Sequence, residues 1–332
     1  MRYKYLYATD ILSLLFALFF ALLSLLNLGK VEINVAGITL DRELFLSLTF
    51  VILFFSLLAL FKATNHCKNR IIHFIRLFYP QPLYILFFGE AILLSQLFYN
   101  NYSFDWLFSQ IDFMIFSSQP SITFHQLVPN TRLITELVFF SYFFFFPLIC
   151  SGWWLLYLQG RMREAVRAFL ITTISFYILF LVFIFFPVKG PKYFFPYLNN
   201  LWYHNFEGYF FTSFMRNLFN HMNLAGAAFP SSHVAISIVA ILLNRRYNWP
   251  LALVFIAPTI LLFFSTVFIY AHYVVDVIGG IIGGILLYNL VPRLYRLFRS
   301  CFSKLDYLIG RIFHLNPLVD LSLIKTLDSN TE

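Results

Sequence analysis

Charge is scarce in this chain. Only 11% of its 332 residues are charged and 60% are hydrophobic, whereas an average soluble domain is about 25% charged. A soluble globular protein is thereby excluded, since its surface would go largely uncoated. Acidic residues are the rarer sign, 15 against 23 basic, for a net charge of +8. In so apolar a chain that excess does not describe a nucleic-acid binder, and no nucleic-acid partner is expected. Cysteine is nearly missing: Cys67, Cys150 and Cys301 stand far apart, which excludes a disulfide framework and a thiolate metal site. No His-Glu-x-x-His or comparable ligand spacing occurs. Internal repeats, low-complexity tracts and a soluble domain of any size are not evident. The first apolar run is long and no small-residue cleavage site clearly follows it, so no cleavable signal peptide is read there.

What is present is hydrocarbon-soluble. Phe (45) and Tyr (20) are heavily used, which suits lipid-facing and interfacial positions. A spanning helix needs roughly 20 mostly apolar residues. Eight stretches qualify: 8–28, 44–61, 83–99, 134–156, 168–187, 232–248, 250–270 and 274–290. The sixth reaches length only by including Ser232, His233 and the Arg245-Arg246-Tyr247 end. The expected fold class is therefore all-α, a polytopic membrane bundle of about eight spans.

Cytoplasmic loops carry the excess of Lys and Arg. With the N-terminus inside, Arg2, Lys4, Lys62, Lys68, Arg70, Arg76, Arg161, Arg163, Arg167, Arg245 and Arg246 fall inside. So do Arg293, Arg296, Arg299, Lys304, Arg311 and Lys325 in the tail, making 17 of the 23 basic residues. Only Lys30, Arg42, Arg132, Lys189, Lys192 and Arg216 fall outside. An integral protein of the plasma or inner membrane with both termini cytoplasmic is expected, its inner loops weakly attracted to anionic lipid headgroups. Outside, residues 29–43 alternate enough (Val31, Ile33, Val35, Ile38) for a short hairpin. The segment 100–132 has room for an interfacial helix. The segment 188–228 is long and aromatic, as a lid or functional loop is. The tail from Pro292 is basic and amphipathic.

Two polar clusters break the apolar pattern: Phe229-Pro230-Ser231-Ser232-His233 and His272-Tyr273-Val274-Val275-Asp276. In this topology both emerge at the outer face. One helix runs inward after His233 and a second returns to His272, so a helical hairpin brings histidines 39 residues apart into one pocket. Ser231 is a preferred N-cap residue, and a helix N-terminus attracts anions. His272 and Asp276 are spaced i, i+4 and share a helix face. A carboxylate on one imidazole nitrogen fixes the tautomer and leaves the other aimed outward, the base–orienter pair of an activated nucleophile. Upstream, Lys189-Gly190-Pro191-Lys192 offers two cations for phosphate oxygens. Each lysine also reads as an interfacial side chain snorkelling to water. Glu90 and Glu136, inside apolar runs, read as helix–helix hydrogen-bonding groups.

These motifs resemble the membrane branch of the type 2 phosphatidic acid phosphatase superfamily, which shares its core with the vanadium haloperoxidases. The family's second motif, Pro-Ser-Gly-His or a close variant, is matched by Pro230-Ser231-Ser232-His233. Its third, Ser-Arg, five residues, His, three residues, Asp, is matched by Ser265, His272 and Asp276, with Thr266 in the arginine's place. Its first, Lys, six residues, Arg-Pro, has Phe185 in the lysine's place and Lys192 near the arginine's. The resemblance covers roughly residues 186–284. It implies a six-helix phosphatase-type core within residues 131–292, preceded by transmembrane helices and an extracytoplasmic loop (1–130) and followed by a basic cytoplasmic tail (293–332).

The resemblance also implies roles. His272 takes the phosphoryl group, Asp276 orients it, and His233 protonates the departing alkoxide. Lys189, Lys192, Ser231 and Ser232 hold the phosphate, and no metal or other cofactor is needed. The implied activity is hydrolysis of a lipid phosphomonoester or diphosphate at the non-cytoplasmic face through a phosphohistidine. The implied partners are the lipid phosphate and the surrounding lipids, with no obligate protein partner. A His-Tyr-x-x-Asp motif without the arginine also resembles the lipid phosphotransferases, such as inositol phosphorylceramide and sphingomyelin synthases. A non-enzymatic transporter or scaffold is the remaining alternative, against which the complete His/His/Asp set argues.

Overall fold

The computed structural model describes residues 4–35, 38–129, 131–204, 206–222 and 225–318. Arg2, Lys325 and residues 36–37 lie outside them. From the N-terminus, α1 (Ala8–Leu25) leads into strands β1 (Glu32–Val35) and β2 (Ile38–Asp41), then α2 (Arg42–Thr64), α3 (Arg70–Phe78) and α4 (Pro80–Phe98). Two helices fill the next loop, α5 (Asp105–Phe116) and α6 (Pro120–Leu127), before α7 (Arg132–Phe143), α8 (Phe145–Leu158) and α9 (Met162–Phe185). The long aromatic segment folds as α10 (Pro191–Phe194), α11 (Pro196–His204) and α12 (Phe210–Met222). The chain then continues through α13 (Ser232–Tyr247), α14 (Trp249–Phe268), α15 (Val274–Leu297) and α16 (Arg299–Ile312).

The fold is all-α and polytopic. Seven helices among the described residues are long and apolar enough to cross a membrane: α1, α2, α3 with α4, α7 with α8, α9, α14 and α15. The polytopic bundle expected from the sequence is the one found. The sixth expected stretch, 232–248, is α13, which has 16 residues, is thus about 24 Å long, and is shorter than those seven. It begins at a serine cap and ends in Arg245 and Arg246, so polar groups close it at both ends. The expected hairpin is present, antiparallel from Glu32↔Asp41 to Val35↔Ile38. The loop expected to hold one interfacial helix holds two, α5 and α6.

The chain divides into two compact units: residues 1–90, 159–174 and 293–332, and residues 91–158 and 175–292. The first has a core of Leu6, Ile11, Leu14, Leu57, Leu58, Phe61 and Leu315, continued by the stacked rings of Phe20, Phe50 and Phe87. There Glu90 accepts a bond from Ser24 at 3.0 Å, a helix–helix contact as expected. The second unit contains all the residues singled out above for chemistry. In it α15 lies against α13 because Gly280 and Gly284 carry no side chain. A Cβ on Gly280 would come within 2.8 Å of both the Ser231 carbonyl and the Val234 side chain, and one on Gly284 would meet the Ala235 carbonyl. Small residues four apart permit this close approach between membrane helices. Val234, Val267 and Val277 fill the space between α13, α14 and α15.

Candidate active site

Ser231 caps α13: its Oγ faces the Val234 amide at 3.5 Å, and its own amide donates to the Asp276 carbonyl at 3.1 Å. The second bond ties the start of α13 to the first turn of α15. The chain between α14 and α15 closes tightly, with the amides of Ala271 and His272 both donating to the Thr266 carbonyl. His272 and Ser231 are thereby brought together, Nε2 standing 3.2 Å from the serine Oγ. His272 Nδ1 lies 2.9 Å from the Ala228 carbonyl. A carbonyl can only accept, so Nδ1 carries the proton and Nε2 of the neutral ring keeps its lone pair. Burial pushes the imidazole down to about 4, against the raising effect of the Ala228 bond, so the ring is neutral near pH 7.

Asp276 differs from its expected role. Its Oδ2 is 3.6 Å from His272 Nδ1, ion-pair distance but beyond hydrogen-bond reach. The same oxygen accepts the Tyr273 amide at 2.8 Å. The i, i+4 rule fails here because α15 begins only at Val274, which leaves His272 on the preceding loop. The orienting bond therefore belongs to Ala228, and Asp276 supplies the turn through its bond to the Tyr273 amide.

His233 occupies the first turn of α13 between the rings of Tyr142 and Phe145, at centroid distances of 4.6 and 4.4 Å. Its ring centroid is 6.3 Å from that of His272. Its Nδ1 is buried without a hydrogen-bond partner among the described residues, as is Asp276 Oδ1. Buried polar atoms are nearly always paired, so these two are among the exceptions. Ser232 is buried beside His233 at the first position of α13.

The two lysines part company. Lys189 Nζ donates to the Asn101 carbonyl at 2.8 Å. Lys192 is buried, its ammonium 4.2 Å from the Trp202 ring centroid, 5.2 Å from Tyr193 and 5.8 Å from Phe219. Phe219 in turn packs on Tyr142, which packs on His233. Burial pulls the Lys192 ammonium down to about 8, helped by the Arg216 charge. Gly190 takes φ +92°, and a Cβ there would strike the Ala271 carbonyl, so glycine lets this loop pass close to the segment that carries His272. Thr266, in the family arginine's place, donates its hydroxyl to the Phe263 carbonyl.

Sequence reasoning missed the underside of the site. Asp105 and Asp112, both buried, accept backbone amides from the Lys189–Gly190 and Val274–Val275 segments. Their seven-residue separation, two turns on one helix face in an apolar stretch, was a signal that could have found them. The Ala228 carbonyl and the rings around Lys192 and His233 had no such signal. Glu136, read as a helix–helix group, instead caps α12, accepting the amides of Tyr209, Phe211 and Thr212.

A neutral imidazole aimed at a helix N-terminus, with a second histidine alongside and a buried cation in the same unit, is equipped to take up a phosphoryl group. A family model described as the PAP2 superfamily matches residues 106–290, a wider stretch than residues 186–284 that carry the motifs. No curated protein and no solved structure matches the chain.

Proposed function

This chain belongs to the PAP2 superfamily, and from that premise we propose that it hydrolyses a lipid phosphate at the extracytoplasmic face of its membrane, with α13 as a short eighth crossing and both termini cytoplasmic. Membership and the seven spans establish a membrane protein of phosphatase type. The observation that carries the finer reading is His272 Nε2, bearing a lone pair and 3.2 Å from the Oγ that caps α13. A phosphate seated at that helix N-terminus would meet free N–H groups and the positive end of the dipole, in line with the nucleophile.

The reaction then runs in two balanced steps. His272 Nε2 attacks phosphorus, the P–N bond forms and the bond to the lipid oxygen breaks. His233, which burial and the neighbouring His272 push down to about 3 in the free protein, takes up a proton when the anionic phosphate binds and gives it to the departing alkoxide. Water then attacks the phosphohistidine, loses its proton to His233, and the P–N bond breaks to release inorganic phosphate. Ser231, Ser232 and Lys192 hold the phosphoryl oxygens through both steps, and Asp276 offsets positive charge developing on His272. Lys189 serves instead as a tie to the Asn101 carbonyl.

Thr266 favours a second reading. A hydroxyl bonded to its own helix leaves the site without the third-motif arginine, as in the lipid phosphotransferases of the inositol phosphorylceramide and sphingomyelin synthase type. The acceptor would then be a lipid alcohol in place of water. The deciding experiment incubates detergent-solubilised protein with a panel of lipid phosphates and phospholipids and identifies products by mass spectrometry. Free phosphate from a simple lipid phosphate is the expected result. A new phospholipid formed without free phosphate favours the transferase, and neither product removes both readings.

A further inference from the structure

We propose that α5 is a clamp that holds the two loops of the site in register, with Asp105 and Asp112 as its positioning residues. The two carboxylates sit seven residues apart on α5 and both are buried. Asp105 spans two segments. Its Oδ2 accepts the Lys189 amide at 2.7 Å, its Oδ1 accepts the Gly190 amide at 2.8 Å, and Oδ1 also accepts the Tyr273 hydroxyl at 3.2 Å. Asp112 holds the second segment alone, Oδ2 on the Val274 amide at 2.8 Å and Oδ1 on the Val275 amide at 3.0 Å.

Those amides need holding. Val274 and Val275 open α15, and the first amides of a helix have no partner within it. The Lys189–Gly190 amides lie in a loop with no strand or helix to pair with. An aspartate on a neighbouring helix thus takes the place of an N-cap, and its charge suits the N-terminal end of the α15 dipole. The packing repeats the connection. Phe108, between the two aspartates on α5, joins Val188, Ala228 and Tyr273 in one buried cluster, and the Phe104 amide donates to the Pro187 carbonyl at 2.9 Å. Ala228 is the residue whose carbonyl orients His272, and its own amide donates to Val188. A shift of α5 would therefore reach both the nucleophile and the loop that carries Lys192. A displacement near 1 Å at a reacting centre can cost about 100-fold in rate.

The inference rests on the phosphoryl-transfer reading of His272 and Lys192. It predicts a split that general destabilisation would not give. Asp112→Asn keeps size and one acceptor oxygen but turns an amide nitrogen toward an N–H, and it touches only the nucleophile's segment. Phosphate release should fall about 10- to 100-fold in kcat with KM near wild type. Asp105→Asn touches both segments and should lower kcat and raise KM together. Tyr273→Phe removes one of Asp105's four hydrogen-bond partners, the Ser103 side chain being the fourth, and guards against misfolding of the Asn variants. It should show the Asp105 pattern at smaller amplitude. Ile115→Ala, on the exposed face of α5, should leave both constants unchanged.

Hydrogen exchange on the same proteins separates the two readings. Peptides covering 187–192 and 272–276 should exchange at least about tenfold faster in Asp105→Asn, and only the second should do so in Asp112→Asn. If the wild type releases no phosphate yet this exchange pattern appears, the clamp stands and the enzymatic reading falls. If the wild type is active while the variants keep its kcat, KM and exchange, the clamp is overturned.

Discussion

Both compact units bury a polar centre among aromatic rings, and the two centres are finished differently. In the first unit Asp10 meets Arg76 in a two-pronged pair, Nη1 to Oδ1 at 2.7 Å and Nη2 to Oδ2 at 2.6 Å. The Tyr79 hydroxyl and the Tyr7 amide also bind that carboxylate, and Arg76 Nε donates to Asn65. The guanidinium plane lies 4.1 Å from the Phe61 ring centroid. Every strong donor and acceptor there is used. In the second unit His233 Nδ1 and Asp276 Oδ1 have no partner among the described residues, and Nε2 of His272 keeps a lone pair touched only by a serine hydroxyl. A saturated buried network fixes a fold. An unsaturated one forgoes stability and retains groups that a substrate can engage.

The comparison breaks most clearly by removing the central group of each. His272→Ala should abolish phosphate release by orders of magnitude, since the P–N bond then has no nitrogen to form on. The folded state should lose about 1–3 kcal/mol, the cost of leaving the buried Ala228 carbonyl unpaired. Arg76→Ala should do the reverse. It strands the Asp10 carboxylate in a dry interior and should cost about 3–5 kcal/mol, while activity per folded molecule stays within a few-fold of wild type. Thermal unfolding in detergent, paired with phosphate release corrected for folded fraction, reads both. A His272→Ala protein that unfolds as readily as Arg76→Ala, or an Arg76→Ala protein that is folded but inactive, would erase the distinction between the two centres.

How much of this was legible in the sequence follows from the range of the interaction involved. The spans follow from local composition, and so does the hairpin, whose alternating Val31, Ile33 and Val35 are read within a few residues. Ser231 as a cap needs only the proline before it and the helix after it. The histidine pair was legible because both lie at helix ends on one side of a hairpin. What failed was exact placement. His272 falls two residues before α15, so the spacing to Asp276 gives a 3.6 Å approach in place of the hydrogen bond it promised. The sixth stretch, by contrast, was placed to within one residue: 232–248 was expected and α13 spans Ser232–Tyr247. The Asp10–Arg76 pair and the Asp105 contacts join residues 66 to 168 apart, and nothing local announces which carboxylate meets which amide. The rings around Lys192 come from three separate stretches, each reading as ordinary aromatic loop.

The finest test of the contrast is titration, because the two centres rely on different cations. Arginine remains charged at any pH a protein survives, so the Asp10–Arg76 pair should be indifferent to mildly basic conditions. Lys192 is different: burial and the Arg216 charge lower it from 10.5 to about 8. For stability the sign is favourable. Below about 8 the folded chain bears a buried ammonium, and between 8 and 10.5 it releases that proton before the unfolded chain does. The unfolding free energy contributed by this group therefore rises with pH. For anion binding the sign is opposite, since the neutral amine no longer attracts phosphate. Affinity for vanadate, a mimic of the transferring phosphoryl group, should hold below pH 8. It should then weaken by as much as about tenfold per unit above that, until the proton retained by the complex is also lost. Lys192→Met should bind vanadate weakly at every pH and remove the slope. A wild-type affinity flat from pH 7 to 9.5 would move the anion-binding role away from Lys192, and Arg216, the charge that already acts on it, would be the next candidate.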